Sequence, residues 1–366
     1  MNITNPRTDD RADRYNSQRL GVTPSAPPSA PPSTSLSTLR LTLLLVLLCA
    51  FLTTSFAQER QTVRLALDWL PNTNHTGIYV AQAQGWYEDA GVDLEILPYS
   101  GVSTEISVTS GRADVGVSST ESVLAAAAVG EPVVSIAAIM STNTAAFAVL
   151  ASSDITSPAD FAGKRYAAFG AAYEEPILRT LIEASGGTGD VNSVVLNTFG
   201  FDALLAGFAD IVWIFEGWQG VQAELEGIDV RLFNFSDYGL PDYYTPVFIT
   251  SPDTASAHPE RLQAFVDATA RGYTFAAENP AEAARILLET TPPGTFPNPE
   301  LVRRSQAFVS QFYLSDTDRW GYQDPAMWQG YPDLLLDVGV FTDVDGNPVR
   351  DLDVSALFTN RFVETE

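Results

Sequence analysis

Short apolar runs alternate with stretches of helical spacing along residues 58–366. Residues 63–69 (VRLALDW) read as a strand, and residues 78–90 carry a helical pattern that stops at Gly91. Residues 93–97 alternate as a strand does. A helix over 103–110, a strand over 114–117 and an alanine-rich helix over 121–129 follow, then strands over 133–139 and 146–150. This alternation predicts an α/β domain with a largely parallel sheet. A second cycle opens near Ala151. Ser157-Pro158-Ala159-Asp160 starts a short helix with proline in its first turn. A strand over 166–169, a helix over 174–184 ended by Gly186-Gly187, and strands over 191–196 and 211–215 come next. Residues 244–250 read as a strand leading back to the first lobe. The remainder is mainly helical. Residues 258–277 place Leu262, Phe265, Val266, Thr269 and Tyr273 on one stripe, and helices over 281–289, 299–312 and 325–337 complete the chain. No tandem repeat is visible. The expected organisation is two α/β lobes, the first from 58–150 plus 248–366 and the second from 151–247. Crossings are expected near 146–151 and 245–250, and a two-lobed chain of this kind closes around a ligand in the cleft.

The N-terminus reads as an address. A Pro/Ser/Ala tract over 24–34 cannot bury apolar surface. Arg40 then precedes a twelve-residue apolar run, 41–52, too short to span a bilayer and suited to a signal-peptide core. Ser55-Phe56-Ala57 supplies small residues for cleavage before Gln58, so residues 1–57 are expected to form a signal peptide with a long leading region. A later start codon would shorten that region. Cys49 ends the apolar run, but Leu48 stands where a lipid-anchor signal wants a small residue. The expected product is exported, periplasmic or at the cell surface.

Composition then removes whole classes of function. The 366 residues are 45% apolar, enough for two cores, and 45 acids against 20 bases give a formal charge of −25. Loss of residues 1–57, with two more bases than acids, leaves −27. Nucleic acid and anionic lipid are poor partners for such a chain. Lys164 is the only lysine and lacks the glycine spacing of a phosphate loop. Cys49 is the only cysteine, and His75 and His258 the only histidines. A disulfide scaffold, a thiol nucleophile and a multi-histidine metal site are therefore not expected, and neither is a metal or a cofactor.

Chemistry concentrates in four strand-to-helix junctions. The first runs Asp68-Trp69-Leu70-Pro71-Asn72-Thr73-Asn74-His75-Thr76-Gly77. An N-cap at Asn74 or Thr76 would explain one of these polar residues, not five. The second is Val117-Ser118-Ser119-Thr120-Glu121, which reads equally as a capping box of Ser118 with Glu121. The third is Phe169-Gly170-Ala171-Ala172-Tyr173-Glu174-Glu175. In the fourth, Trp213-Ile214-Phe215-Glu216-Gly217-Trp218, Trp213 and Phe215 share one strand face and Glu216 closes the strand. Loops at the carboxyl ends of strands face the ligand crevice of open α/β sheets. Aromatic faces and carboxylates without Arg or Lys imply a flat, nitrogen-rich, hydrogen-bonding ring that is not an anion.

The runs LDWLPNTNHTGIYVAQAQGWYEDAG, GKRYAAFGAAYEEPIL and WIFEGWQG, in this order across residues 62–280, resemble the thiamine-pyrimidine solute-binding proteins of ABC importers. The resemblance implies a two-lobed type II periplasmic-binding-protein fold, a monomer working with a transporter permease, and no catalysis. It carries ligand contacts to Asp68, Trp69, Asn72 and His75, to Ser119 and Glu121, to Tyr173 and Glu174, and to Trp213 and Glu216. Phe169 belongs to the same aromatic frame. One branch of that family takes a formylated aminomethylpyrimidine and a sister branch takes riboflavin. Phe169 and Tyr173 depart from the pyrimidine branch's usual indole and small aliphatic, which tips the expectation toward riboflavin, with the formylaminopyrimidine as the alternative. A fungal pyrimidine synthase of similar fold uses pyridoxal phosphate and a cysteine-rich motif. Here Lys164 is the one residue that could form the imine, and an exported chain without mature cysteine does not suit that chemistry.

Overall fold

The computed structural model describes residues 60–196, 200–315 and 319–364. The expected signal peptide over 1–57, its cleavage after Ala57 and the reading of Cys49 lie outside the described residues.

Among the described residues ten strands form two five-stranded sheets. In chain order they are β1 Gln61–Ala66, β2 Val92–Leu97, β3 Val115–Ser118, β4 Val134–Ala138, β5 Ala145–Leu150, β6 Arg165–Ala168, β7 Asn192–Val195, β8 Ile211–Phe215, β9 Val230–Asn234 and β10 Val247–Thr250. The first sheet has the order β2-β1-β3-β10-β4 and the second β7-β6-β8-β5-β9. The same plan appears twice: three parallel strands, then one antiparallel strand arriving from the other lobe, then a last strand beside it. The expectation of largely parallel sheets holds for all but these two incoming strands.

β5 pairs with β8 and β9, so the strand assigned by sequence to the first lobe lies in the second. The chain leaves the first sheet between Ala138 and Ala145 and returns between Asn234 and Val247. β5 is AAFAVL, apolar on both faces and buried almost throughout, so its composition suits either core and only pairing decides.

In the first lobe, β1, β3 and β4 bury Val63, Leu65, Val115, Val117 and Ile136. Against them lies the helix Pro259–Glu278, burying the predicted stripe of Leu262, Phe265, Val266, Thr269 and Tyr273. The helix Thr76–Ala83 crosses it very closely. A Cβ on Gly272 would stand 2.0 Å from the Gly77 carbonyl oxygen, and one on Gly77 would stand 2.3 Å from the Tyr273 ring. The expected helix over 78–90 is broken at Gly85, whose φ of 74° opens a short separate helix, Trp86–Asp89. The second lobe has its own apolar layer of Ala148, Ala167, Phe201, Leu204, Val212 and Ile214. Another cluster runs from Val123 and Leu124 of the first lobe through Phe235, Tyr243 and Tyr244 to Phe147 and Tyr166 of the second. The two crossings therefore sit within packed side chains. Among the described residues no helix is long and apolar enough to cross a membrane.

Candidate functional site

The four marked loops leave the carboxyl ends of β1, β3, β6 and β8, the parallel strands of the two sheets. Open α/β sheets bind ligands at that end. What each side chain does there separates groups left open from groups that build the loops.

After β1, Asn72 caps a 3-10 turn, accepting from the Asn74 N–H at 2.8 Å and donating to the Leu70 carbonyl at 3.1 Å. His75 is fully buried; its Nδ1 accepts from the Asn72 N–H at 3.2 Å, so Nε2 carries the proton and donates to Asp68 at 2.8 Å. His75 thus orients Asp68 and offers no surface of its own. The Thr73 hydroxyl meets that of Ser305 at 2.6 Å, and Thr76 donates to Gln306 Oε1. Tyr273 donates to the Asn74 carbonyl at 2.7 Å. The cap is Asn72, not the expected Asn74 or Thr76, and two later helices take up Thr73, Thr76 and the Asn74 carbonyl. Asp68 and Trp69 remain at the surface of the loop. Trp69 is 44% exposed and lies 5.4 Å from the Tyr99 ring at 46°.

After β3, Ser119 is the N-cap of the helix Thr120–Ala128, accepting from the Ser122 N–H at 3.2 Å. The Ser118–Glu121 capping box does not form. Ser118 donates instead to Glu105, a buried carboxylate that also accepts from Ser103. Glu121 is 2% exposed and accepts from the Tyr331 hydroxyl at 3.0 Å through Oε1, while its Oε2 has no partner. Burial raises Glu121 above the ordinary carboxyl range, opposed by its hydroxyl and backbone donors.

After β6, Glu174 is spent on its own loop. It accepts from the Tyr166 hydroxyl at 2.6 Å and from the backbone N–H groups of Phe169, Gly170 and Ala171 at 3.1, 2.7 and 2.6 Å. Sequence placed Glu174 on the ligand; four donors make it the anchor that shapes the Gly170 turn. That turn presents Phe169, 53% exposed, and Tyr173 beside Trp213 of β8. Phe169–Trp213, Tyr173–Trp213 and Phe169–Tyr173 ring centres are 5.6, 6.1 and 6.2 Å apart, all edge to face. Phe147 and Phe235 back Trp213 at 5.5 and 4.8 Å. The buried Trp213 Nε1 has no acceptor. Glu216 closes β8 as expected, half-buried, raised first by burial and then by Asp237.

The lobes meet here. The charges of Glu121 and Glu105 both act on the Tyr173 hydroxyl, which burial already raises. Gly217 abuts Val309 and Phe308 of the first lobe, and Trp218 packs against Phe296 at 6.2 Å. Sequence reasoning missed Tyr99, Glu105, Tyr243 and Tyr331. Tyr99, Tyr243 and Tyr331 lie far along the chain from the motifs they serve. Glu105 carried a readable signal, an acid in the first turn of a helix at a strand-to-helix junction.

A family model described as NMT1/THI5 like matches residues 72–283. The chain is 32% identical to the formylaminopyrimidine-binding protein of Halalkalibacterium halodurans, over 77% of this chain and 86% of that one. It is 28% identical to a 4-amino-5-hydroxymethyl-2-methylpyrimidine phosphate synthase of Legionella pneumophila, over 83% and 93%. It is 25% identical to the riboflavin-binding protein RibY of Chloroflexus aurantiacus, over 83% and 86%. The periplasmic nitrate-binding protein NrtA from Synechocystis PCC 6803 superposes with a TM-score of 0.62 at 15% identity, over 83% of this chain and 87% of that one. The architecture is the two-lobed α/β fold of periplasmic binding proteins. A model match over more than half of the residues, from Asn72 in the first loop through the whole of the second, third and fourth, makes this chain a member of the NMT1/THI5-like family.

Proposed function

We propose that this chain is the exported solute-binding subunit of an ABC importer, that it hands its solute to a membrane permease, and that the solute is a formylaminopyrimidine. The observation that carries the reading is the site itself. Three mutually packed rings, Phe169, Tyr173 and Trp213, stand on one lobe, and the buried carboxylate of Glu121 and the loop carboxylate of Asp68 stand on the other. Rings hold a flat heterocycle by its faces and carboxylates take its N–H groups.

The preference for riboflavin drawn from Phe169 and Tyr173 gives way on two grounds. The relative that binds formylaminopyrimidine is 32% identical and RibY 25%. The two exchanged residues also pack edge to face on Trp213, so the changed residues still form one continuous aromatic frame with it.

The synthase reading lacks its residues. Lys164 holds both oxygens of Asp154 at 2.8 and 3.0 Å and precedes β6, at the end of the strand opposite the Phe169 loop. An ion-paired lysine at the far end of the sheet does not fit pyridoxal phosphate. The protein binds and releases its solute unchanged.

Glu216 provides the test. It is half-buried, and its carboxyl accepts no hydrogen bond among the described residues. A ligand N–H to such an ionised group contributes about 1.5–3 kcal/mol, or about 10- to 100-fold in affinity. Glu216→Gln is expected to weaken formylaminopyrimidine binding within that range and to leave the melting temperature of the free protein unchanged. A lowered melting temperature with wild-type affinity would show Glu216 to be a helix-terminal structural residue and would remove it from the site.

A further inference from the structure

The segment returning from β9 to β10 carries Tyr243, which is 1% exposed. Its ring lies flat on Tyr331 at 3.8 Å and 11°. Tyr331 spends its hydroxyl on Glu121 Oε1. The Tyr243 hydroxyl lies close enough to interact with the same carboxylate, yet neither it nor Glu121 Oε2 has a partner in good hydrogen-bond geometry. A buried hydroxyl and a buried carboxylate oxygen held together in poor hydrogen-bond geometry are costly, and a third group that completes both is favoured there.

The surroundings say what that is. The groups acting on Glu121 are the Ser119, Tyr243 and Tyr331 hydroxyls and its own backbone N–H. Those acting on Tyr243 are Glu121, Tyr173 and Tyr331. Tyr173, from the second lobe, also feels Glu105 and Glu174. Every charged group in this set is a carboxylate. A partner must therefore bring hydrogens and no negative charge. Across the junction the unpartnered Trp213 Nε1 is a donor and wants an acceptor. An aromatic amine beside a ring nitrogen supplies both: two hydrogens for Glu121 and Tyr243, and a lone pair for the indole.

We infer that Tyr243 is a specificity-determining residue, its hydroxyl and Glu121 Oε2 together receiving the amino group of an aminopyrimidine. This rests on the solute-binding reading above and adds the group that the protein selects. The position also ties recognition to the crossings. The neighbouring Asp242 accepts from the Tyr243 N–H at 2.8 Å, from the Asn143 N–H at 2.9 Å and from the Thr142 hydroxyl, joining the outgoing and returning segments.

The test titrates wild type and Tyr243→Phe with formylaminopyrimidine and with an analogue carrying methyl in place of the ring amino group, beside melts of the free proteins. Wild type is expected to prefer the amine by about 10-fold or more. Tyr243→Phe is expected to lose about 5- to 30-fold in affinity for the amine, to bind the analogue as wild type does, and to melt no lower. Equal affinity of both proteins for the amine overturns the inference. So does a lowered melting temperature with the preference for the amine intact, which would make Tyr243 a packing residue. Wild type binding both compounds equally overturns this inference alone. Wild type binding neither overturns the solute reading and this inference with it.

Discussion

Glu121 and Glu174 are both buried acids in the first turn of a helix, yet their surroundings give them different work. Glu174 satisfies three backbone N–H groups and a tyrosine hydroxyl, so it holds a loop. Glu121 has one strong donor and a spare oxygen, so it waits on a partner. Burial favours the neutral form of Glu121 in the folded chain. Its contribution to stability is therefore fully present below the unfolded carboxyl range and is lost as pH rises through its raised folded value. Glu121→Gln should raise the melting temperature of the free protein near pH 7.5, with the gain shrinking to nothing below about pH 4. Thermal melts across pH check this; a gain that grows on acidification would reverse the sign and the argument. The sequence marked both acids because both follow strands. It could not divide their roles, since Glu174's donors are local whereas Glu121's partner lies 210 residues away. Thr76 and the Asn74 carbonyl escape a local reading for the same reason as Glu121, since their partners Gln306 and Tyr273 lie far along the chain, whereas His75 is taken up locally by Asn72 and Asp68.

At the scale of elements, periodicity was enough wherever one face meets one core. The stripe on Pro259–Glu278 and the bounds of Glu174–Ala184, Ile211–Phe215 and Pro325–Asp337 all follow from pattern and flanking Pro or Gly. Allegiance was not legible where a strand is apolar on both faces, as β5 is. β9, VRLFN, was missed because its sides are only partly buried and it carries no clear alternation. Gly77 sat in a motif marked for ligand, but its work is steric: it lets Thr76–Ala83 approach Gly272 within backbone contact. Gly272→Ala should therefore cost about 3 kcal/mol or more in a urea melt, because neither backbone can yield without moving the first loop. A loss under about 0.5 kcal/mol, the size of an ordinary surface substitution, would mean that the helices are not held at this crossing.

The whole molecule is two copies of one sheet plan exchanging a strand, with the four marked loops at the carboxyl ends of parallel strands. Beyond the crossings, the second lobe touches the first where Gly217 meets Val309 and Phe308 and where Trp218 enters a cluster with Tyr79, Leu287 and Val302. A Cβ on Gly217 would stand 2.5 Å from Val309 Cγ1, so this contact has no room for a side chain. Gly217→Val should hold the lobes apart. Small-angle scattering with saturating ligand should give a larger radius for the variant than for wild type, and affinity should fall while the melting temperature of the free protein stays. Identical liganded radii would exclude this contact as part of closure.

The central claim is that this cleft takes a single-ring aminopyrimidine. Its most direct test is calorimetric titration of a chain spanning residues 58–366, stripped of bound solute by unfolding and refolding, with formylaminopyrimidine and with riboflavin. The account predicts saturable one-to-one binding of the pyrimidine, about 10-fold tighter than riboflavin or more. Riboflavin binding more tightly, or no saturable heat with the pyrimidine, would contradict it.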